Sequence, residues 1–245
     1  MCYKYSMLSI IIPTFNEEKY LPNLLRSIVK QNFKDYEIIV ADAGSKDKTR
    51  EIANKYNCKI VEGGLPAKGR NEGAKAAKGN ILLFLDGDIV LPPNFFIKAL
   101  SEFTAKKINF GAFALLPYPK NKVSYFFFNN FYNKQTAFFE KFSPHAAGSA
   151  ILIKRATFEK LKGYDETVKL AEDHDLAKRA KKIAKFKFLK STKVFVSDRR
   201  FKQYGWTNTI VKYIFCELHM ALLGPVRTDF LKYEFGRYND YSEDK

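Results

Sequence analysis

The chain has 245 residues, 46% of them hydrophobic, enough for one sizeable α/β domain with a C-terminal extension and too few for two large domains. Its 42 Lys and Arg against 26 Asp and Glu give a formal charge of +16, a field that attracts polyanions such as nucleic acid, an anionic membrane or phosphorylated substrates. Three scattered cysteines, Cys2, Cys58 and Cys216, exclude a disulfide framework or a zinc site and fit a reducing cytoplasm.

The first half alternates short β-branched runs with helical periodicity. Strands are expected over Ser9–Phe15, Tyr36–Asp42, Lys59–Glu62 and Asn80–Asp86, with helices over Glu17–Lys30, Lys46–Tyr56 and Ala67–Lys78 between them. This β-α-β-α-β-α-β order predicts a mostly parallel sheet flanked by helices. Beyond Pro93 follow a helix over Asn94–Thr104, a strand over Phe110–Pro117 and an aromatic run from Tyr125 to Phe142. A strand over Gly148–Ile153, a helix starting near Glu172 and the Lys-rich strand region KFKFLKSTKVFVSD come next. Tyr204 to Gly224 reads as an amphipathic helix with Trp206, Ile210, Ile214, Leu218 and Leu222 along one side. No secretory leader is recognised, and the longest apolar stretches fall short of the ~20 residues of a membrane span.

Ligands of such sheets bind outside the carboxyl ends of the strands. Thr14 to Glu17, Asp42, Glu62, Asp86 and Asp88 all fall at such ends. Asp86 and Asp88, separated by Gly87 after a buried strand, suit a shared hard cation; Gly87 is read as permitting an unusual turn. Asp-Gly is equally an ordinary turn dipeptide. Asp42 either accepts hydrogen bonds from a nucleoside or, with Ser45, caps the next helix. Lys68, Arg70 and Asn71 at a helix start suit phosphate, or form a solvated face. Glu172 and Asp173 cap a helix, or one of them acts as a general base.

Five segments in order, SIIIPTFNEEKYLPNLLRSI, YEIIVADAGSKDKT, AKGRNEGAKAAKGNILLFLDGDIVLPPNF, GSAILIKRATFEKLKGYDE and EDHDLAKRA, resemble the family 2 glycosyltransferases of the GT-A fold over residues 7 to 200. The resemblance implies a Rossmann-like nucleotide-binding half over 7–92, an acceptor-binding half over 93–200 and a helical extension over 201–245. It assigns Pro13, Thr14, Asn16, Glu17, Asp42, Arg70 and Asn71, with Asp86 and Gly87, to the nucleotide, and Asp86 and Asp88 to manganese or magnesium. It makes Asp173 the base beside Glu172 in an inverting transfer from a UDP- or GDP-linked sugar. Lys68 and His174 are candidates for charge stabilisation near the diphosphate, and Gly148 and Ser149 for donor or acceptor contacts. The Q-x-x-R-W string of processive, polysaccharide-extending members is absent, which points to a single-addition enzyme.

The aromatic run, the basic stretch from Lys178 to Lys187 and the amphipathic tail suggest a peripheral cytoplasmic protein on the inner face of the membrane, taking a polyprenyl-phosphate-linked, other lipid-linked or glycan acceptor. Two readings compete: a non-catalytic basic module for membrane or nucleic acid, and a sugar nucleotidyltransferase. An acidic rim without a recognised RNA motif argues against nucleic acid, and PTFNEEKY lacks the glycine-rich loop of the nucleotidyltransferases.

Overall fold

The computed structural model describes residues 7–118, 122–140 and 149–228. The first half runs β1 (Leu8–Thr14), α1 (Leu21–Val29), β2 (Tyr36–Asp42), α2 (Thr49–Lys55), β3 (Lys59–Glu62), α3 (Pro66–Ala76) and β4 (Ile81–Leu85). The second runs β5 (Ile89–Val90), α4 (Phe95–Ala105), β6 (Phe110–Tyr118), α5 (Lys122–Phe127), a π-helical turn (Phe128–Tyr132), α6 (Asn133–Phe139), β7 (Ala150–Lys154), α7 (Arg155–Lys160), α8 (Glu172–Lys181), β8 (Phe186–Ser197), α9 (Arg199–Tyr204) and α10 (Trp206–Leu222).

One sheet of order β3-β2-β1-β4-β7-β6-β8-β5 spans the described residues. Its β3-β2-β1-β4 half is wholly parallel, as expected. The other half is mixed: β7 runs antiparallel to β4 and β6, β5 is antiparallel to β8, and β6 and β8 are parallel. Every residue of β1 and β4 is buried, because helices cover both faces of a parallel sheet and its strands read as continuous apolar runs. Successive side chains alternate between faces. Ile10, Ile12, Leu83 and Leu85 therefore join the core against α1 and α4, while Ile11, Leu82 and Phe84 join the one that includes Ala74, Phe158 and Leu176.

The second core requires α3 to lie almost against β1. A Cβ built on Gly73 would fall 2.4 Å from Ile11 Cγ2. Gly73→Ala should therefore overpack this interface and destabilise the fold by about 1–3 kcal/mol in chemical denaturation, although alanine is the better helix former.

The first expected helix starts later than its pattern suggests, at Leu21. Asn16, at φ 54°, and Glu17 belong to the preceding loop, and Pro22 occupies the first helical turn, where its missing N–H costs nothing. The C-terminal helix is present, but its apolar stripe is not turned inward. Thr209, Cys216 and Met220 are buried, while Ile214, Leu218 and Leu222 are exposed and Ile210 is half-buried. The Trp206 side chain, Gly148 and the end of the aromatic run at Phe142 lie outside the described residues.

Candidate active site

The strand directions gather the candidate residues on one rim. Parallel strands β1, β2 and β4 deliver Thr14, Asp42 and Leu85 to it, and antiparallel β7 begins there, so the Ser149 carbonyl accepts the Asp86 N–H at 3.2 Å. Strand β8, parallel to β6, ends on the same side, where the Ser197 N–H donates to the Asp88 carbonyl at 3.3 Å.

The loops after β1 and β2 are zipped together. The Asn16 N–H donates to Ser45 Oγ at 2.9 Å, the Lys46 N–H to Asn16 Oδ1 at 2.9 Å, and the Glu17 N–H to Thr49 Oγ1 at 2.8 Å. Asp42 organises this junction. Its carboxylate accepts the Ser45 N–H at 3.0 Å, the Ser45 hydroxyl at 2.5 Å and the Thr14 hydroxyl at 3.1 Å, and its side chain has 0% exposure. The carboxylate thus ties the loop after β2 to β1, and it does not cap α2, which begins at Thr49 without a side-chain cap. Pro13 is buried against α3, and Lys68 is exposed on the first turn of that helix.

Two buried arginines bridge the acidic residues. Arg70 donates to Asp86 Oδ1 at 2.8 Å and to Glu172 Oε1, 102 positions along the chain, at 2.5 Å, tying the D-x-D segment to the Glu-Asp segment. Arg199, at the start of α9, donates to both Glu17 oxygens at 2.8 and 2.7 Å, and its Nε lies 3.0 Å from Asp88 Oδ2. Its guanidinium also stacks over the Tyr20 ring, 4.5 Å from the centroid. Burial pushes the Glu17 carboxyl up to about 7, against the lowering pull of Arg199 and with a further push from Asp88 and Asp86. Burial likewise raises Glu172, with Arg70 opposing it and Asp173 adding to the rise. Burial also acts against the charge of Arg70, but Asp86 and the other anionic neighbours outweigh it and keep the guanidinium protonated.

Gly87 is required for a reason other than the one read from the sequence. Its φ lies outside the left-handed region, so no unusual turn is involved. Instead a Cβ there would come within 3.1 Å of Glu17 Cγ, which packs directly beneath the D-x-D segment.

Asn71 has a structural task in addition to the role the resemblance implies. Its amide clamps the backbone of Tyr164, with Oδ1 accepting the N–H at 2.9 Å and Nδ2 donating to the carbonyl at 3.0 Å, and it reaches Glu166 at 2.8 Å. Gly163, at φ +71°, leaves room for that clamp, since a Cβ would meet Asn71 Oδ1 at 2.6 Å. The clamp holds the Tyr164 ring under Arg70, with the guanidinium carbon 5.4 Å from the centroid. Asn71 thus helps to position Arg70 through the Tyr164 ring.

The turn into α8 is held from behind by the C-terminal part of the chain. Ala171, at φ 57°, precedes Glu172 and Asp173; Leu170 bridges to Val226; and Leu170 and Ala171 pack on Cys216, Met220 and Val226. The Asp173 carboxylate accepts the N–H of His174 at 2.9 Å, which puts both residues in the first turn of α8. The sequence reading missed Arg199 and Tyr164. For Arg199 a signal existed: a basic residue immediately after a strand ending on the functional rim.

Among the described residues, no group of three His, Cys, Asp or Glu side chains is arranged to hold a metal. The two carboxylates flanking Gly87 nevertheless suit a hard cation. Magnesium or manganese takes oxygen donors, and commonly only one or two protein carboxylates, with water and substrate phosphate completing the shell.

The sequence model described as Glycosyl transferase family 2 matches residues 9–162. The chain belongs to that family. It is 30% identical over 200 residues to an uncharacterized glycosyltransferase of Rickettsia typhi, covering 77% of this chain and 60% of the relative. Over 90 residues it is 40% identical to the poly(ribitol-phosphate) beta-N-acetylglucosaminyltransferase TarS of Staphylococcus aureus, covering 33% of this chain and 16% of that protein. Over 92 residues it is 38% identical to the GalNAc(5)-diNAcBac-PP-undecaprenol beta-1,3-glucosyltransferase of Campylobacter jejuni, covering 33% of this chain and 29% of that enzyme. The chain therefore spans less than two thirds of the length of these relatives.

The fold is that of GT-A glycosyltransferase structures. A mannosyltransferase from Pyrobaculum calidifontis, solved with GDP-Man and Mn2+, superposes with a TM-score of 0.73 at 19% identity, covering 90% of this chain and 65% of that one. TarS of S. aureus, residues 1–349 with UDP-GlcNAc, gives a TM-score of 0.62 at 24% identity, covering 78% and 58%.

Proposed function

We propose that this chain transfers a sugar from a UDP- or GDP-linked donor to an acceptor hydroxyl or phosphate, with inversion at the anomeric carbon and dependence on manganese or magnesium. The observation that carries the reading is the convergence of Asp86, Asp88, Glu172 and Asp173 on one rim, with Arg70 bridging the two acidic segments. The donor type is supported by the UDP-GlcNAc and GDP-Man found with the structural relatives. The acceptor is a glycan or a lipid-linked group met at an anionic membrane surface, a reading supported by the undecaprenol-linked substrate in the name of the C. jejuni relative.

In this mechanism the Asp173 carboxylate takes the acceptor proton as the acceptor oxygen bonds to the anomeric carbon from the face opposite the diphosphate, and the bond from that carbon to the diphosphate oxygen breaks. A divalent cation at Asp86 and Asp88 supplies positive charge against the leaving diphosphate. Arg199, anchored by both Glu17 oxygens, would offer a planar guanidinium suited to phosphate oxygens.

Calorimetric titration of UDP and GDP, with and without manganese, tests this on the wild type and on Asp88→Ala. The expected result is metal-dependent binding of one nucleotide, weakened roughly 100-fold in the variant, in the range seen when a metal's surroundings are disturbed. Absence of binding for both nucleotides under all conditions would overturn the reading.

A further inference from the structure

We propose that the outward face of α10 is a docking surface for an anionic lipid bilayer, and that it sets the catalytic rim close to the membrane plane. The proposal rests on the lipid-side acceptor in the reading above and names the surface that would serve it.

Val211, Ile214, Phe215, Leu218 and Leu222 are all exposed and follow one another at i, i+3, i+4, i+7 and i+11, a single stripe along a 17-residue helix. The opposite side of the same helix is already used, through Thr209, Cys216 and Met220. An α10 apolar on both sides thus has one face packed on its own chain and one turned outward, and an outward stripe of this kind marks an interaction surface. Two further aromatics, Phe126 of α5 and Phe138 of α6, are also exposed, at 60% and 69%. The end of α5 and the π-helical turn after it meet α9 through the rings of Phe127 and Phe128, 5.9 and 5.8 Å from Phe201.

Charge selects the occupant. Residues 122–139 and 200–223 contain five Lys or Arg and one carboxylate, Glu217, within a chain of net charge +16. Two such copies repel each other, whereas an anionic leaflet attracts them, by about fivefold in partitioning for each Lys or Arg near the surface. No helix among the described residues is long and apolar enough to cross a membrane, so the face lies on the bilayer instead of spanning it. Position supplies the functional consequence. The buried side of α10 packs on Leu170 and Ala171, the residues immediately before Glu172 and Asp173. The outward stripe is therefore about one helix diameter, ~10–12 Å, from the base segment, within reach of a headgroup-linked acceptor.

The test is flotation of the full chain with vesicles of phosphatidylcholine alone and with added phosphatidylglycerol, on the wild type and on the double variant Phe215→Ser/Leu218→Ser. Both substituted side chains are about half exposed, so the thermal midpoint should change little. The expected result is wild-type flotation with the anionic vesicles, reduced at least tenfold in the variant. Wild type that ignores anionic vesicles, or a variant that floats equally well, would overturn the proposal. So would a wild-type dimer in light scattering that the variant converts to monomer without any flotation, because it assigns the stripe to a second copy. Nucleotide titration on the same samples separates the two readings: flotation without nucleotide binding removes the transferase and leaves the docking face, and nucleotide binding without flotation does the reverse.

Discussion

Asparagine in place of Asp173 is expected to lower kcat by ~10²–10⁴-fold, the range a positioned general base contributes, while leaving donor binding unchanged. The reason is geometric. The Asp173 carboxylate accepts the N–H of His174 at the start of α8, whereas its neighbour Glu172 carries the ion pair to Arg70. The amide keeps the shape and removes the basicity, so single-turnover kinetics with the nucleotide sugar should show slow transfer after normal nucleotide binding. The companion Glu172→Gln should behave differently. Its partner Arg70 also holds Asp86, so the loss should appear in metal and nucleotide affinity as well as in rate. Equal turnover in Asp173→Asn and wild type would remove Asp173 from the chemistry.

Arg70→Ala is expected to be the costliest single change in the site, lowering stability by about 3 kcal/mol, because it leaves the charges of Asp86 and Glu172 facing each other without their shared cation. For a chain of this size that corresponds to roughly 6–12 °C in thermal midpoint. Arg70→Lys should recover only part of it, since an ammonium cannot span two carboxylates and lie over the Tyr164 ring as the planar guanidinium does. Manganese should narrow the deficit of Arg70→Ala, because a cation at Asp86 offsets part of the unpaired charge. Differential scanning calorimetry with and without the metal reads both effects, and an Arg70→Ala midpoint equal to wild type would mean that the bridge contributes nothing.

Most of the strand order in the first half was legible because local and global signals coincide there. A strand buried on both faces must be an unbroken apolar run, and Ile81–Leu85 is one; Tyr36–Asp42 and Lys59–Glu62 matched the expected bounds. The two-residue β5, the short α7 and α9, and the antiparallel insertion of β7 between β4 and β6 were not read, since elements of two to six residues carry too little periodicity and their placement depends on distant partners.

The candidate site divides in the same way. The residue types and spacings of Asp86, Asp88, Glu172 and Asp173 are local properties, and the resemblance to family 2 glycosyltransferases rests on such local strings. Which partner each side chain has is a nonlocal property. The pairing of Arg199 with Glu17 joins residues 182 positions apart, the Asn71 clamp on Tyr164 joins residues 93 apart, and the enclosure of Asp42 needs Thr14 from another strand. The direction faced by α10 has the same origin. Its pattern is apolar on more than one side, so periodicity alone cannot choose the buried face; the choice falls to Leu170, Ala171 and Val226, which supply the surface that Cys216 and Met220 cover and leave Ile214, Leu218 and Leu222 outside. Composition and local pattern determine which elements form and which chemistry the strand ends carry, because those follow from the backbone and side chains of neighbouring residues. Partners, burial and exposed faces are decided only when the chain closes on itself, because each depends on atoms supplied from far along the sequence.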